Sequence, residues 1–194
     1  MTMNQRQRSK DHLLKMARRH RQSGELSMIE AGGVLAAAAL LALSVTAGGK
    51  FIYDRVRASH FKSETHLFHS GVLDATANDT DFSAETLGTL VQNHAFDAAG
   101  SRVVGNATVT GMFGGQVTAA PGTLSTANDS LILTYPVPAT VCTLSVGTAT
   151  TDYTQIIVNG KTVAGPGTTF NDATAAAACS ANDPASIQLY TTRN

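Results

Sequence analysis

From Ala31 to Gly49 the chain runs nineteen residues without a charge. At about 1.5 Å of rise per helical residue, that length is close to the roughly 30 Å hydrocarbon core of a bilayer. The pattern predicts a helix that is apolar all round over residues 26–49. The helical signal does not stop there. No proline interrupts residues 26–75, and Ile52, Val56, Ser59/His60, Leu67, Phe68 and Val72 recur at roughly the spacing of one helical face. A single helix is predicted over residues 25–75, about 75 Å long, apolar in its first half and amphipathic in its second. Two glycine pairs, Gly32–Gly33 and Gly48–Gly49, lie inside it. Each glycine costs about 1 kcal/mol of helix stability relative to alanine. Small residues let membrane helices pack closely. Gly48 and Gly49 are also a place where the helix could stretch or unwind.

The period then changes. "ATANDTD" (Ala75–Asp81) is a break. "FSAETLGTLVQNHAF" sets Leu87, Leu90, Val91 and His94 on one helical face, with Asp81 or Ser83 as the cap. From Gly100 onward come short β-branched runs bounded by Gly, Pro, Asn or Asp: "RVVGNATVTG", "GGQVTAAPG", "DSLILTYPVP", "YTQIIVNGKTV" and "ASIQLYTT". "IIVNGKTV" carries the Asn-Gly pair of a two-residue hairpin, where both central residues need positive φ. "PATVCTLSVG" and "DATAAAACS" read as short helices, each with one cysteine. The predicted class is α+β, a long N-terminal helix packed on a C-terminal antiparallel β-sheet, with a globular head over residues 76–194.

Charge sharpens the division. The chain is formally neutral, but residues 1–24 hold seven of its fourteen basic residues and only one acid. From Glu25 onward there are seven basic and thirteen acidic residues, a formal charge of −6. A basic leader of residues 1–24, cleaved or retained in the cytoplasm, fits that split. The acidic body would repel phosphates, which excludes nucleic acid as a partner. Cys142 and Cys179 are the only cysteines. Behind a membrane-entering segment an even count reads as one disulfide, whereas a cytosolic protein would keep two free thiols.

Little here suggests catalysis. His66 and His69 could share a helix face, but no convergent carboxylate or cysteine accompanies them, so no metal is expected. "SHFK" (Ser59–Lys62) matches a short Ser-x-x-Lys pattern without its companion motifs. No nucleophile elbow, phosphate loop, dinucleotide fingerprint or Cys-x-x-Cys is present, so neither a catalytic residue nor a cofactor is expected. Sequons stand at Asn78, Asn106 and Asn128.

The stretch "SGELSMIEAGGVLAAAA" combines a basic leader ending in Gly24, the carboxylates Glu25 and Glu30, and the start of the apolar helix. With "YDRVRAS", "FGGQVTAA", "PATVCTL", "IIVNGKTV" and "AAAACS", it resembles the type IV pilins. The closest likeness is to the type IVb major pilins of conjugative thin pili. The resemblance covers nearly the whole chain and implies the pilin fold. It implies an inner-membrane precursor cut after Gly24 by a prepilin peptidase, which usually methylates the new N-terminal amine. It also implies subunits that pass through an inner-membrane assembly platform into an extracellular homopolymer built on the N-terminal helix, with a minor pilin at the tip. Adhesion, aggregation or mating contact would then be the role.

The family's assembly carboxylate is normally the fifth mature residue. A cut after Gly24 makes Glu25 first and Glu30 sixth. A cut after Glu25 makes Leu26 first and restores the usual spacing, but takes glycine from the cut. The resemblance gives Glu30 the task of pairing with a neighbour's N-terminal ammonium. A lone carboxylate at the edge of hydrocarbon costs several kcal/mol unless paired or protonated. A minor pilin or secretion pseudopilin would share this layout. A signal-anchored periplasmic enzyme or binding protein, or a secreted protein cut near Ala47, are the readings of other classes.

Overall fold

The computed structural model describes residues 28–105 and 107–193, and side-chain surroundings from residue 49 onward within that range. Helix α1 spans Met28–Ala75. By its contacts the chain divides between Lys50 and Phe51, and Phe51–Asn194 form one compact unit. Among the described residues no helix is long and apolar enough to cross a membrane. The predicted apolar segment 26–49 lies, up to Gly48, outside the residues whose side chains are described.

Within the second unit, α1 buries Ala58, Phe61, Thr65, Phe68 and Val72. Those positions follow one another at three- and four-residue steps, a single helical stripe. The predicted stripe was different in part. Ile52, Val56 and Leu67 are 64%, 47% and 51% exposed. The reason is rotational: Phe61 and Phe68 carry the larger rings, and turning them inward swings Ile52, Val56 and Leu67 out. Thr65 and Thr76, buried on the same side, return their hydroxyls to the carbonyls of Phe61 and Val72, at 2.9 and 2.8 Å.

After α1 comes α2 (Leu87–Gln92), then a 3₁₀ turn at Asp97–Arg102. The second helix is shorter than the pattern over residues 82–96 predicts, and its cap is neither Asp81 nor Ser83. Thr86 caps it, accepting from the Thr89 N–H while the Thr89 hydroxyl accepts from the Thr86 N–H. His94 adopts φ 65° and ends the helical path. The turn there is tight: a Cβ on Gly71 would stand 2.3 Å from the Ala95 carbonyl oxygen, so only glycine lets α1 and this turn touch. Behind the contact, Phe68 meets Phe96 edge to face at 4.9 Å.

Seven strands follow: β1 (Val103–Val104), β2 (Thr108–Thr110), β3 (Gln116–Gly122), β4 (Ser130–Val137), β5 (Gln155–Val158), β6 (Lys161–Ala164) and β7 (Ala185–Thr192). They form one sheet in the order β1-β2-β3-β4-β7-β5-β6, with every neighbour antiparallel. Helices α3 (Ala139–Ala149) and α4 (Asp172–Cys179) lie in the connections around the β5–β6 hairpin. The central pair β4–β7 runs from Ser130↔Thr192 to Val137↔Ala185. Leu131, Leu133, Tyr135 and Val137 alternate inward, matched by Thr191, Leu189, Ile187 and Ala185. This is the period-two pattern of a sheet with one covered face. Pro136 is tolerated inside β4 because the β3 ladder has ended at Thr134, so its missing N–H is not needed on that side.

Asn159 and Gly160 turn the β5–β6 hairpin with φ 49° and 81°, as the Asn-Gly pair predicts. Asn159 does more than turn. Its side chain donates to the Ala178 carbonyl at 2.8 Å and accepts from the Ser186 N–H at 2.9 Å, tying the hairpin to α4 and β7. Cys142 and Cys179 are joined by a disulfide, with Cα atoms 5.7 Å apart. It links α3 to α4, and the hairpin is held by Asn159 and by β7.

The disulfide spans a sequence separation of 37. Restricting an unfolded loop of that size stabilises the fold by about 4 kcal/mol. Cys142→Ser is therefore expected to lower the free energy of urea unfolding by an amount near that value. Reduced wild-type protein should match the variant. Equal stability in oxidised wild type and variant would remove the disulfide from the list of supports.

Candidate assembly surface and the polar network behind it

The residues expected to act at the N-terminal end fall mostly outside the description. Gly24, Glu25 and Leu26 lie outside the described residues. Glu30 and Gly48 are on α1, but their side-chain surroundings are outside the described range. The helix runs unbroken through Gly48 and Gly49. Gly49 is exposed, and a Cβ built on it would meet nothing within 4 Å, so no close contact among the described residues demands a glycine there.

On the described part of α1 the outward face is the conspicuous feature. Ile52, Val56, Ser59, Ser63 and Leu67 are exposed at steps of four, three, four and four residues, so they line one face. Phe51 and Tyr53 are exposed beside them. The Arg55 guanidinium lies 5.1 Å from the Phe51 ring centre, and Arg57 stands 4.7 Å from Phe113 and 5.4 Å from Tyr53. Cation–π contacts of this kind are worth roughly 0.5–1 kcal/mol at exposed sites. A ridge of apolar and small side chains along one exposed helix is a surface suited to another helix.

The opposite side of α1 is pinned to the head by a buried carboxylate. Glu64 is 8% exposed. Its Oε1 accepts from the Tyr135 hydroxyl at 2.5 Å, the Met112 N–H at 3.3 Å and Arg102 Nη1 at 3.2 Å. Oε2 takes the second arm of the Arg102 fork. Arg102 Nη1 also donates to the Thr110 carbonyl at 2.9 Å, and the Met112 N–H donates to the Tyr135 oxygen at 2.5 Å. The hydrogen bond to Glu64 raises the Arg102 pKa, with burial acting against it. Burial first, and then the bond to Glu64, push the Tyr135 phenol far above its ordinary range. Arg102 therefore stays charged and Tyr135 neutral at physiological pH, and both keep donating to Glu64 in this clasp. Among the described residues no cluster suited to a metal ion occurs.

Two histidines on α1 face the far end of the sheet. His69 Nδ1 lies 3.1 Å from the Thr191 hydroxyl, and its ring meets Tyr153 edge to face at 5.1 Å. His66 Nδ1 lies 3.3 Å from Asp152 Oδ2, an ion pair only when the imidazole carries a proton. Among the described residues no hydrogen bond reaches that oxygen. Tyr153 donates to the Thr65 carbonyl at 2.7 Å, and burial holds its phenol well above the usual range. Burial lowers the His69 pKa, with Asp152 opposing and His66 adding to the fall.

Sequence reasoning found neither the Glu64 clasp nor Arg102. A carboxylate in the middle of an amphipathic helix reads as a solvated face. The signal that could have found it is its position, three residues after Phe61 and four before Phe68, on the flank of the apolar stripe.

A third feature is a cleft of about 510 Å³ lined by Asp81, Phe82, Ser125, Asp129, Thr154 and Arg193, among others. Arg193 lies over the Phe82 ring at 4.4 Å and donates to the carbonyls of Asp79 and Asp81. Asp129 accepts from the N–H groups of Leu124, Ser125 and Thr126, which lower its pKa.

The family described as PilS N terminal matches residues 57–192. Among solved structures, the type IV b pilin from Salmonella typhi is similar over 68% of this chain and 99% of its own, at 20% identity and a TM-score of 0.51. No match is found among curated proteins.

Two outcomes follow from this geometry. Arg102→Met strands the Glu64 carboxylate and is expected to cost about 3–5 kcal/mol in chemical denaturation. The paired change with Glu64→Met should recover much of that loss; a double variant as unstable as the single one would contradict the clasp. The second outcome concerns acid. Above pH 6.5 both folded and unfolded His69 are neutral. As pH falls below the ordinary value of 6.5, the unfolded chain takes the proton first, and stability is lost until the folded-state histidine also protonates. A Tm profile from pH 7.5 to 5 should therefore fall more steeply for wild type than for His69→Gln. Parallel profiles would rule His69 out as the cause.

Proposed function

The chain belongs to the PilS N-terminal family and is a type IVb pilin, and we propose that it is processed after Gly24 and polymerises through α1 into a surface filament serving adhesion or mating contact. The observation that carries the reading is the division of labour on α1. One face is consumed by the head through Phe61, Glu64 and Phe68, while the other presents Ile52, Val56 and Leu67 to solvent. A helix so exposed in the monomer is economical only if other subunits cover it.

The N-terminal part of the reading rests on the basic leader, Gly24 and the apolar run that follows. Residues 1–24 stay on the cytoplasmic side and are removed. The segment 26–49 holds the precursor in the inner membrane and later lies among the helices of neighbouring subunits. There the Glu30 carboxylate pairs with the N-terminal ammonium of an adjacent subunit, which stabilises both charges in a low-dielectric setting and sets the register. Gly48 and Gly49 let the helix lengthen between that packed core and the head. Prepilin peptidase and an inner-membrane assembly platform are the partners this route requires.

Two measurements test it. Edman sequencing or mass spectrometry of sheared filaments should give a mature chain beginning at Glu25, or at Leu26 if the cut falls one residue later. A start near Gly48 would instead mean ordinary secretion. Glu30→Ala should cut subunit incorporation into filaments at least tenfold, the scale of a buried charge pair, with precursor levels unchanged. Wild-type incorporation would refute the pairing role.

A further inference from the structure

Charge in the body is not spread evenly. Residues 50–62 contain four basic residues and one acid. Residues 63–194 contain three basic residues and ten acids. On α1, Arg55 and Lys62 are seven residues apart, almost two full turns, so they project from one side, along the edge of the exposed ridge of Ile52, Val56 and Leu67. Both are exposed. Among the described residues neither pairs with a carboxylate.

The C-terminal end of the same helix has the opposite character. Its last turn has no basic residue, and Asp74 lies in it. Asp79 and Asp81 follow in the tight turn, and Asp74, Asp79 and Asp81 are all exposed. Helix C-termini carry partial negative charge and favour cations. Among the described residues Arg193 is the one basic group that pairs here: it donates to the backbone carbonyls of Asp79 and Asp81 and approaches the Asp79 carboxylate at 3.9 Å. Asp129 adds a further carboxylate in the adjoining cleft. One arginine against four carboxylates leaves this end strongly negative.

We infer that the Arg55–Lys62 edge of the exposed α1 face is a docking surface for a second copy of this chain, which engages it with its Asp74–Asp81 turn. The inference deepens the pilus-subunit reading and rests on it. The two surfaces are complementary in sign and lie at opposite ends of the same helical segment; the basic edge meets no carboxylate among the described residues, and the acidic turn is only partly offset by Arg193. A basic edge at one end and an acidic turn at the other make a head-to-tail contact, a heterologous interface that extends rather than closes. Apolar contact from Ile52, Val56 and Leu67 would supply attraction, and the charges would set the axial register and speed encounter.

The test uses the full chain in cells that make wild-type filaments. Filament yield after shearing is measured with total subunit level and the melting temperature of the purified protein. Arg55→Glu with Lys62→Glu should reduce filament yield about tenfold or more, with subunit level and melting unchanged. Asp74→Lys with Asp79→Lys should do the same. Combining all four should restore yield to within a few-fold of wild type. Where a reversal impairs folding, Arg55→Gln with Lys62→Gln takes its place and should still lower yield. Unchanged yield in the folded basic-edge variant, or a fourfold variant no better than its parents, would overturn the inference. A wild-type chain that forms no filaments would instead refute the pilus-subunit reading, and the inference with it.

Discussion

The head is organised around one buried carboxylate. Glu64 enters from α1, and its acceptors are taken up by Arg102 at the end of the 3₁₀ turn, Met112 after β2 and Tyr135 on β4. Four segments far apart in sequence thus share one point. Burying a charge is unfavourable unless its lone pairs are filled, so only one arrangement of these segments is acceptable. Hydrophobic packing of Phe61 against Tyr135 and of Phe68 against Phe96 is non-directional. It would tolerate small slides and rotations, whereas the carboxylate does not. The rotation that buries Glu64 beside Phe61 and Phe68 is also the rotation that turns Ile52, Val56 and Leu67 outward. The exposed face of α1 is therefore a consequence of the clasp.

Strands were legible because their alternation is local. The Asn-Gly hairpin, the Leu-rich β4 and the final β7 need only their own residues to be recognised, and so does the unbroken helix to Ala75. What could not be read was anything that depends on which face meets which. Apolar spacing alone favours Ile52, Val56 and Leu67 as much as Phe61 and Phe68, and only the sheet decides between them. The second helix was overread because His94 continues the periodicity while its backbone turns left-handed. The cap at Thr86 was missed because Asp81 and Ser83 are equally good cap residues, and Asp81 spends its carboxylate on Ser83 instead. Arg102 and Glu64 are 38 positions apart, beyond any local pattern.

The disulfide and Asn159 have complementary tasks. The covalent bond joins α3 to α4, across the connections that enter and leave the β5–β6 hairpin. Asn159 then fastens that hairpin to α4 and β7 by two hydrogen bonds. The long C-terminal excursion is thereby closed at its base and at its tip. Rigidity there fixes the surface that the head would offer to others, while α1 remains available on its outward side.

Strand β1 has two residues and β6 four, and β6 runs directly into the small Gly165–Thr168 bridge. A long open edge would offer unpaired backbone groups to any passing strand, and in a chain concentrated at one place that invites amyloid-like stacking. Short margins leave such association little purchase. A protein whose body carries an exposed apolar helix has thus closed the other common route to self-association, so that contact between copies is steered to side chains, where sequence can specify it.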